Sequence, residues 1–131
     1  MHQDYMLETI RASAVLTTGY VAATVLGPST SAMNPALHNQ LNVLLKWTKG
    51  SLTSLSIKIE FSHDGTTYYQ ETFESIVTGT STLSLGEYTM TTEGNYHISI
   101  PIKYNYIKVS AKGVGTVTDS LLQIDAVIGT V

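Results

Sequence analysis

The sequence predicts an all-β protein, an antiparallel β-sandwich of jelly-roll type with about eight strands, preceded by an extended N-terminal arm. Three observations predict it. From residue 40 onward, apolar and polar residues alternate with a period of two, as in strands that place one face on a core. These runs are short and evenly spaced between turn-forming residues, which is typical of sandwiches. The chain of 131 residues also holds 19 Thr and 13 Ser, and Thr favours strands.

The first half of this region predicts three strands. Residues 41–47 and 55–61 alternate in polarity and are joined by a flexible Lys-Gly-Ser turn at 49–51. The second run ends at Asp64-Gly65, the preferred pair for a tight hairpin turn. Residues 67–73 are therefore expected to return antiparallel to it.

The second half predicts the remaining strands. Residues 76–77 end at a Thr-Gly-Thr turn, and 83–91 form a strand with a bulge at Gly86. Residues 96–102 follow a turn, and Pro101 places this strand at a sheet edge or ends it there, because proline cannot donate to a ladder. Residues 107–111 and 122–128 alternate again.

Residues 1–39 follow a different pattern. Residues 27–35 contain two prolines, no charge and no periodicity, and a structureless stretch of that length is uncommon inside a compact domain. We therefore divide the chain into an arm and linker (1–39) and a sandwich domain (40–131). The alternative is that the segment supplies one strand of the sandwich and one long loop.

An apolar arm that cannot fold alone usually packs on another chain. Its apolar residues are the predicted protein-interface residues, and the protein is expected to form homo-oligomers. They are Met6, Leu7, Ile10, Val15, Leu16, Tyr20, Val25 and Leu26.

Charge and composition exclude several partners. The net charge of −3 offers no basic surface for nucleic acid or anionic membranes. The absence of cysteine excludes disulfides, Cys-ligated metals and thiol catalysis. The apolar runs are too short to span a bilayer, and Asp4 and Glu8 stand where a signal peptide would be basic, so a soluble protein is expected.

No catalytic or metal-binding motif is found, and no cofactor is predicted. The segment around Ser29 lacks the second glycine of a nucleophile elbow, and residues 113–118 lack the third glycine of a dinucleotide fingerprint. The four histidines are scattered. Glu71 and Glu74 are expected on opposite faces of the chain rather than paired across a cleft. We therefore expect that the protein is not an enzyme.

The eight tyrosines and one tryptophan allow two interpretations. Trp47 is in register with the apolar residues of its strand and is expected in the core. Exposed tyrosines suit protein interfaces. They also suit stacking on sugar rings, for which Tyr68, Tyr69, Tyr104 and Tyr106 are the candidates.

Four runs of the sequence carry a resemblance: VLLKWTKG (43–50), IKIEFSHDGTTYYQE (57–71), YIKVSAKG (106–113) and GTVT (115–118). Together they resemble the small β-sandwich virion proteins of tailed bacteriophages, over about residues 43–128. The resemblance is a pattern of strand and turn residues and transfers no functional residue. It implies a non-enzymatic component of a virion.

These observations lead to one expected function. The chain is predicted to be a capsid decoration or cement protein that binds neighbouring capsid subunits, with the major capsid protein or a connector as its partner. The alternatives are a head–tail connector or tail subunit, and a carbohydrate-binding sandwich module.

Overall fold

The computed structural model describes residues 5–28 and 38–129, and every regular element in them is a β-strand. The strands are β1 (Tyr5–Ala14), β2 (Val21–Ala22), β3 (Gln40–Thr48), β4 (Leu52–Ser62), β5 (Tyr69–Gln70), β6 (Thr72–Val77), β7 (Thr80–Leu85), β8 (Glu87–Met90), β9 (Gly94–Pro101), β10 (Tyr106–Gly115) and β11 (Leu121–Gly129). Within these residues no helix of the length and hydropathy needed to cross a membrane occurs.

The strands form two main antiparallel sheets. Sheet I has the order β1-β11-β3-β9. Sheet II has the order β2-β10-β4-β5, and β8 also pairs with β4 beyond the end of β5. The prediction of an all-β antiparallel sandwich is confirmed. Strands β1 to β4 alternate between the two sheets, and so do strands β8 to β11.

A single apolar cluster fills the space between the sheets. On β3 the buried residues alternate as the sequence predicts, ending at Trp47, which is 3% exposed. Ile57 and Ile59 on β4 and Val109 on β10 bury completely against them. Each such side chain contributes about 1.5–3 kcal/mol to folding, so the period-two pattern accounts for most of the core.

The Asp64-Gly65 turn is wider than the predicted tight hairpin. The Asp64 carboxylate accepts hydrogen bonds of 2.9 Å from the backbone N–H groups of Thr66 and Thr67. Because these side-chain bonds hold an open loop, only Tyr69–Gln70 returns alongside β4. The predicted return strand at 67–73 is thus too long: the chain leaves sheet II and enters β6.

One of two sequence markers acts as expected. β9 ends at Pro101 and forms the edge of sheet I. The predicted strand at 83–91 with a bulge at Gly86 is instead two strands, because Gly86 separates β7, which pairs with β6, from β8, which pairs with β4. At Gly50, between β3 and β4, φ is +57°. A Cβ there would lie 2.5 Å from the Asp119 carbonyl oxygen, so glycine is required by both conformation and space.

The N-terminal segment differs from the expected arm. β1 pairs with β11 along Tyr5–Ala14, with a register shift next to Ile10, and β2 pairs with β10. Residues 5–28 therefore belong to the sandwich. This agrees with the alternative interpretation of the sequence, in which the segment supplies a strand and a loop. The pattern of β1 conceals this, because Leu7 is 68% exposed while the neighbouring Glu8 is largely turned inward, with one carboxylate oxygen buried and unpaired among the described residues. The rest of the predicted arm, 1–4 and 29–37, lies outside the described residues.

Candidate functional site

The predicted interface residues divide into two groups. Ile10, Leu16 and Leu26 are at most 3% exposed and pack in the core of their own chain, so the prediction that they contact a neighbour is wrong. They bury there because the backbone around them is tied to the sandwich: the Leu16 N–H donates to Ser120 Oγ, and Leu26 exchanges backbone hydrogen bonds with Ile107. The remaining candidates are exposed or half-buried; they are Met6, Leu7, Val15, Tyr20 and Val25.

A more prominent apolar surface lies on a hairpin that the two main sheets do not include. β6 and β7 pair with each other from Thr72–Leu85 to Val77–Thr80 and with no other described strand. The turn at Thr78-Gly79 has positive φ at both residues, 52° and 76°, which is the conformation of a two-residue hairpin turn. Six residues of strand reach about 20 Å, and the exposure of every side chain of β7 shows that this strand does not pack on the sandwich.

Its base is fixed to sheet II. The Gly86 N–H donates to the Glu71 carbonyl at 2.7 Å, and the Glu71 N–H donates to the Ile59 carbonyl of β4 at 3.2 Å. The Tyr88 hydroxyl donates to Glu71 Oε2 at 2.9 Å. These bonds close the hairpin where it leaves the sheet, so its position relative to the sandwich is defined.

β7 presents the largest apolar exposure found among the described residues. All six of its side chains are exposed, with Leu83 at 70% and Leu85 at 67%. β7 also holds no charged residue and no proline. By contrast, the edge strand β1 carries Glu8 and Arg11, and the edge strand β9 ends at Pro101. Charges and prolines are the usual protection of a sheet edge against pairing, and β7 lacks both.

A groove opens beside the hairpin base, where the end of β9 in sheet I meets β5 in sheet II. It encloses about 430 Å³, and we call it the tyrosine groove. Its lining includes Phe61, Tyr69, Gln70, Glu71, Lys103 and Tyr104. Tyr69 and Tyr104 are 67% and 45% exposed, and the Tyr104 ring lies 5.6 Å from the Phe61 ring. Two of the four tyrosines proposed for sugar stacking therefore share one groove; Tyr68 and Tyr106 do not line it.

Tyr68 and Tyr20 instead cover the outer face of sheet II. Lys108 Nζ lies 3.9 Å from the Tyr68 ring centre, and Lys58 and Lys112 each place Nζ 4.7 Å from the Tyr20 ring centre. Burial, and then the hydrogen bond to Glu87, raise the pKa of Tyr20 well above its usual value. Such cation–π contacts stabilise a surface by about 0.5–1 kcal/mol each at exposed sites. The tyrosines and lysines of this face therefore already contact one another, and we do not place a ligand there.

Several acidic residues in the described part of the chain hold turns or the hairpin base. No group of three or more His, Asp or Glu side chains there could hold a metal ion. Asp64 and Asp119 are turn residues: hydrogen bonds from the Thr67 and Thr66 backbone lower the pKa of Asp64 to about 2, and those from Ser51 lower the pKa of Asp119. Glu71 holds the hairpin base.

Sequence reasoning missed the hairpin as a surface. It identified the Thr-Gly-Thr turn, but it treated Gly86 as a bulge within one strand at 83–91 and assigned the flanking strands to the sandwich. The available signal was composition, because residues 72–85 carry a single charge, Glu74. β7 itself has no charge and lies between Gly79 and Gly86, and an uncharged strand bounded in this way can be recognised as a candidate pairing edge.

Comparisons with known proteins address the fold only. No protein-family model and no curated protein matches the chain. A solved structure described as "Bacillus endospore appendages form a novel family of disulfide-linked pili" is similar over 100% of this chain and 92% of that chain, with a TM-score of 0.50 and 11% sequence identity. At 11% identity this likeness concerns the fold alone, an all-β architecture.

Proposed function

We propose that the chain is a non-enzymatic structural subunit that assembles with copies of itself, and that the β6–β7 hairpin makes the contact. The observation that carries this proposal is β7, an exposed strand with two outward leucines and neither charge nor proline.

The physical argument combines backbone pairing with apolar burial. An edge strand offers a row of N–H and C=O groups to a neighbouring strand, and side chains at alternate positions give the pairing its register. Leu83 and Leu85 are two apart, so they lie on the same face and bury together. Burying each contributes about 1.5–3 kcal/mol before the entropy of association is subtracted. One such contact is weak, but repeated contacts in an assembly sum through multivalency.

The likeness to a pilus subunit supports assembly as a class of function, with one difference in chemistry. Those pili are described as disulfide-linked, whereas this chain has no cysteine. Assembly of this chain would therefore depend on strand pairing and apolar contact alone and would persist in a reducing buffer.

Within this class we propose a tailed-phage virion as the location. Capsid decoration is the first choice, and a head–tail connector or tail subunit the second. This finer proposal is supported by the resemblance of strand and turn residues over about 43–128 and by no comparison.

Sedimentation velocity and electron microscopy of the full chain over a range of concentrations test self-assembly. We expect concentration-dependent oligomers, and we expect the double variant Leu83→Ser/Leu85→Ser to remain monomeric while its circular dichroism is unchanged. Leu7→Ser is the matched control, since Leu7 at 68% exposure equals the hairpin leucines in exposure but lies on β1.

Two results would contradict the proposal. If the wild-type chain is monomeric throughout, the proposal of self-assembly is wrong, and if it also fails to bind emptied phage heads, it is not a structural subunit. If Leu7→Ser abolishes assembly while the double hairpin variant still assembles, the contact lies on the β1 edge. Binding to emptied heads without self-association would favour decoration and assign the hairpin to a different protein partner.

A further inference from the structure

We infer that the tyrosine groove binds an uncharged saccharide, with Tyr69 and Tyr104 packing on the sugar rings. This inference goes beyond the proposed function and rests on a separate part of the molecule, since neither Leu83 nor Leu85 lines the groove.

The volume and lining suit a small ligand. The groove encloses about 430 Å³, within the range of about 300–1,000 Å³ for small-molecule sites. Ile100 is the buried residue of the lining, and the half-buried Phe61 places its ring centre 5.6 Å from that of Tyr104, with the two rings tilted by 37°. Tyr104 thus has an apolar backing and an exposed side, which a flat ligand could cover.

The two tyrosines match the amphipathic character of a pyranose ring. One face of such a ring presents C–H groups, which pack on an aromatic face, while its hydroxyl groups project around the rim and need hydrogen-bond partners. Tyr69, at 67% exposure, is an unusually exposed aromatic residue for a β5 position that is paired to β4. Burying an aromatic side chain of this kind supplies most of the affinity in small sites.

Polar groups at the groove are suited to sugar hydroxyls and are held in place. Glu71 is held in place by the Tyr88 hydroxyl, which donates to Glu71 Oε2 at 2.9 Å. The Gln70 side chain donates to the Gly86 carbonyl at 3.4 Å. Carboxylate and amide oxygens that are preorganised in this way lose little entropy when a hydroxyl binds.

The charge of the groove favours a neutral ligand. Glu71 and Lys103 supply one charge of each sign to the lining. Lys103 has no ion-pair partner in the part of the chain that the structure describes. A phosphate or carboxylate ligand would need an excess of cationic donors, which this lining does not contain.

Isothermal titration calorimetry and saturation-transfer NMR of the full chain with cellohexaose, xylohexaose, chitohexaose and maltohexaose test the inference. We expect at least one of them to bind, with Tyr69→Ala and Tyr104→Ala each weakening the affinity about tenfold, which corresponds to about 1.4 kcal/mol. Tyr68→Ala is the matched control, since Tyr68 precedes Tyr69 in the chain but lies under Lys108, outside the groove.

Each outcome decides the inference. Absence of binding at millimolar concentration for all four hexaoses overturns it, and so does binding that Tyr69→Ala and Tyr104→Ala leave unchanged. A proline-rich decapeptide forms the competing arm: if it shifts the resonances of Tyr69 and Tyr104 and the sugars do not, the groove is a peptide site and the inference is wrong. The double hairpin variant Leu83→Ser/Leu85→Ser is expected to keep its saccharide affinity within about twofold, which separates failure of this inference from failure of the assembly proposal.

Discussion

Tyr20 donates a hydrogen bond of 2.8 Å to Glu87 Oε1 and thereby joins the two opposite edges of sheet II. Tyr20 directly precedes β2, and Glu87 begins β8, so the side chains meet across β10 and β4. Lys58 Nζ and Lys112 Nζ each lie 4.7 Å from the centre of the Tyr20 ring. This contact binds residues near the N-terminus to the outer face of the sandwich.

The first prediction concerns alkaline pH. The pKa values of Tyr20 and Tyr88 are raised by burial and then by their carboxylate partners, to about 12 for Tyr88. Above the unfolded-state pKa of about 10 the unfolded chain loses phenol protons that the folded chain keeps, so the free energy of unfolding falls as pH rises from about 10 to 12. Urea unfolding at several pH values measures this decline, and Tyr88→Phe should make it shallower. An equally steep decline in Tyr88→Phe would contradict the assignment.

The second prediction concerns the Asp64-Gly65 turn. Gly65 has φ +78°, and an added Cβ would lie 2.9 Å from the Tyr106 ring. Gly65→Ala should therefore lower the free energy of unfolding by about 1–2 kcal/mol, from left-handed strain and displacement of that ring. Gly19→Ala is the control, because its Cβ would meet nothing within 4 Å, and it should be neutral or stabilise by up to about 1 kcal/mol. Equal effects in the two variants, measured by urea denaturation, would argue against this account.

The third prediction separates the packing of Trp47 from its indole N–H. Trp47 is 3% exposed, and its Nε1 is buried without a hydrogen-bond partner among the described residues. An unpaired buried donor is itself destabilising by about 1–3 kcal/mol. Trp47→Phe should therefore lower the free energy of unfolding by less than about 1.5 kcal/mol, whereas Trp47→Ala should lower it by about 3–5 kcal/mol. A loss in Trp47→Phe as large as in Trp47→Ala would indicate an acceptor for the indole N–H.

The fourth prediction concerns the N-terminal segment. Deleting residues 1–26 removes β1, β2 and the fully buried Leu26, so the remaining chain should fail to fold cooperatively in thermal unfolding. Leu26→Ala alone should lower the free energy of unfolding by about 2–5 kcal/mol. Leu7→Ala, at an exposed position of β1, should change it by no more than about 0.5 kcal/mol. If the truncated chain unfolds at the wild-type temperature, residues 1–26 are an arm that the sandwich does not need for folding, and this prediction is wrong.

Sequence reasoning succeeded where one physical signal dominated. The apolar residues of β3, β4, β10 and β11 alternate and bury one face of each strand, and this alternation predicts both the strands and the burial of Trp47. Serines on the opposite face of β4 and β10 are buried as well, which the alternation does not predict. It failed at β1, because the exposed Leu7 and the inward Glu8 reverse the expected polarity. No local signal could show that β1 pairs with β11, since that contact joins residues more than a hundred positions apart.

The candidate surfaces were less accessible to sequence reasoning than the fold. Tyr69 and Tyr104 were both named as candidates, but their convergence depends on the path of the chain after β9. The hairpin leucines were read as part of a sandwich strand. Whether a strand joins a sheet or leaves it depends on which partner it pairs with, and from Thr72 onward the chain pairs with β7 and not with β4.

The Thr78-Gly79 turn has a practical consequence for engineering. It lies at the end of the hairpin, and a Cβ at Gly79 would meet nothing within 4 Å. A short affinity tag spliced between these two residues would displace no core side chain and would still crowd any molecule that docks alongside β7. A tag at this position would therefore serve two purposes: it would prevent docking on β7, and it would allow the folded monomer to be purified and crystallised.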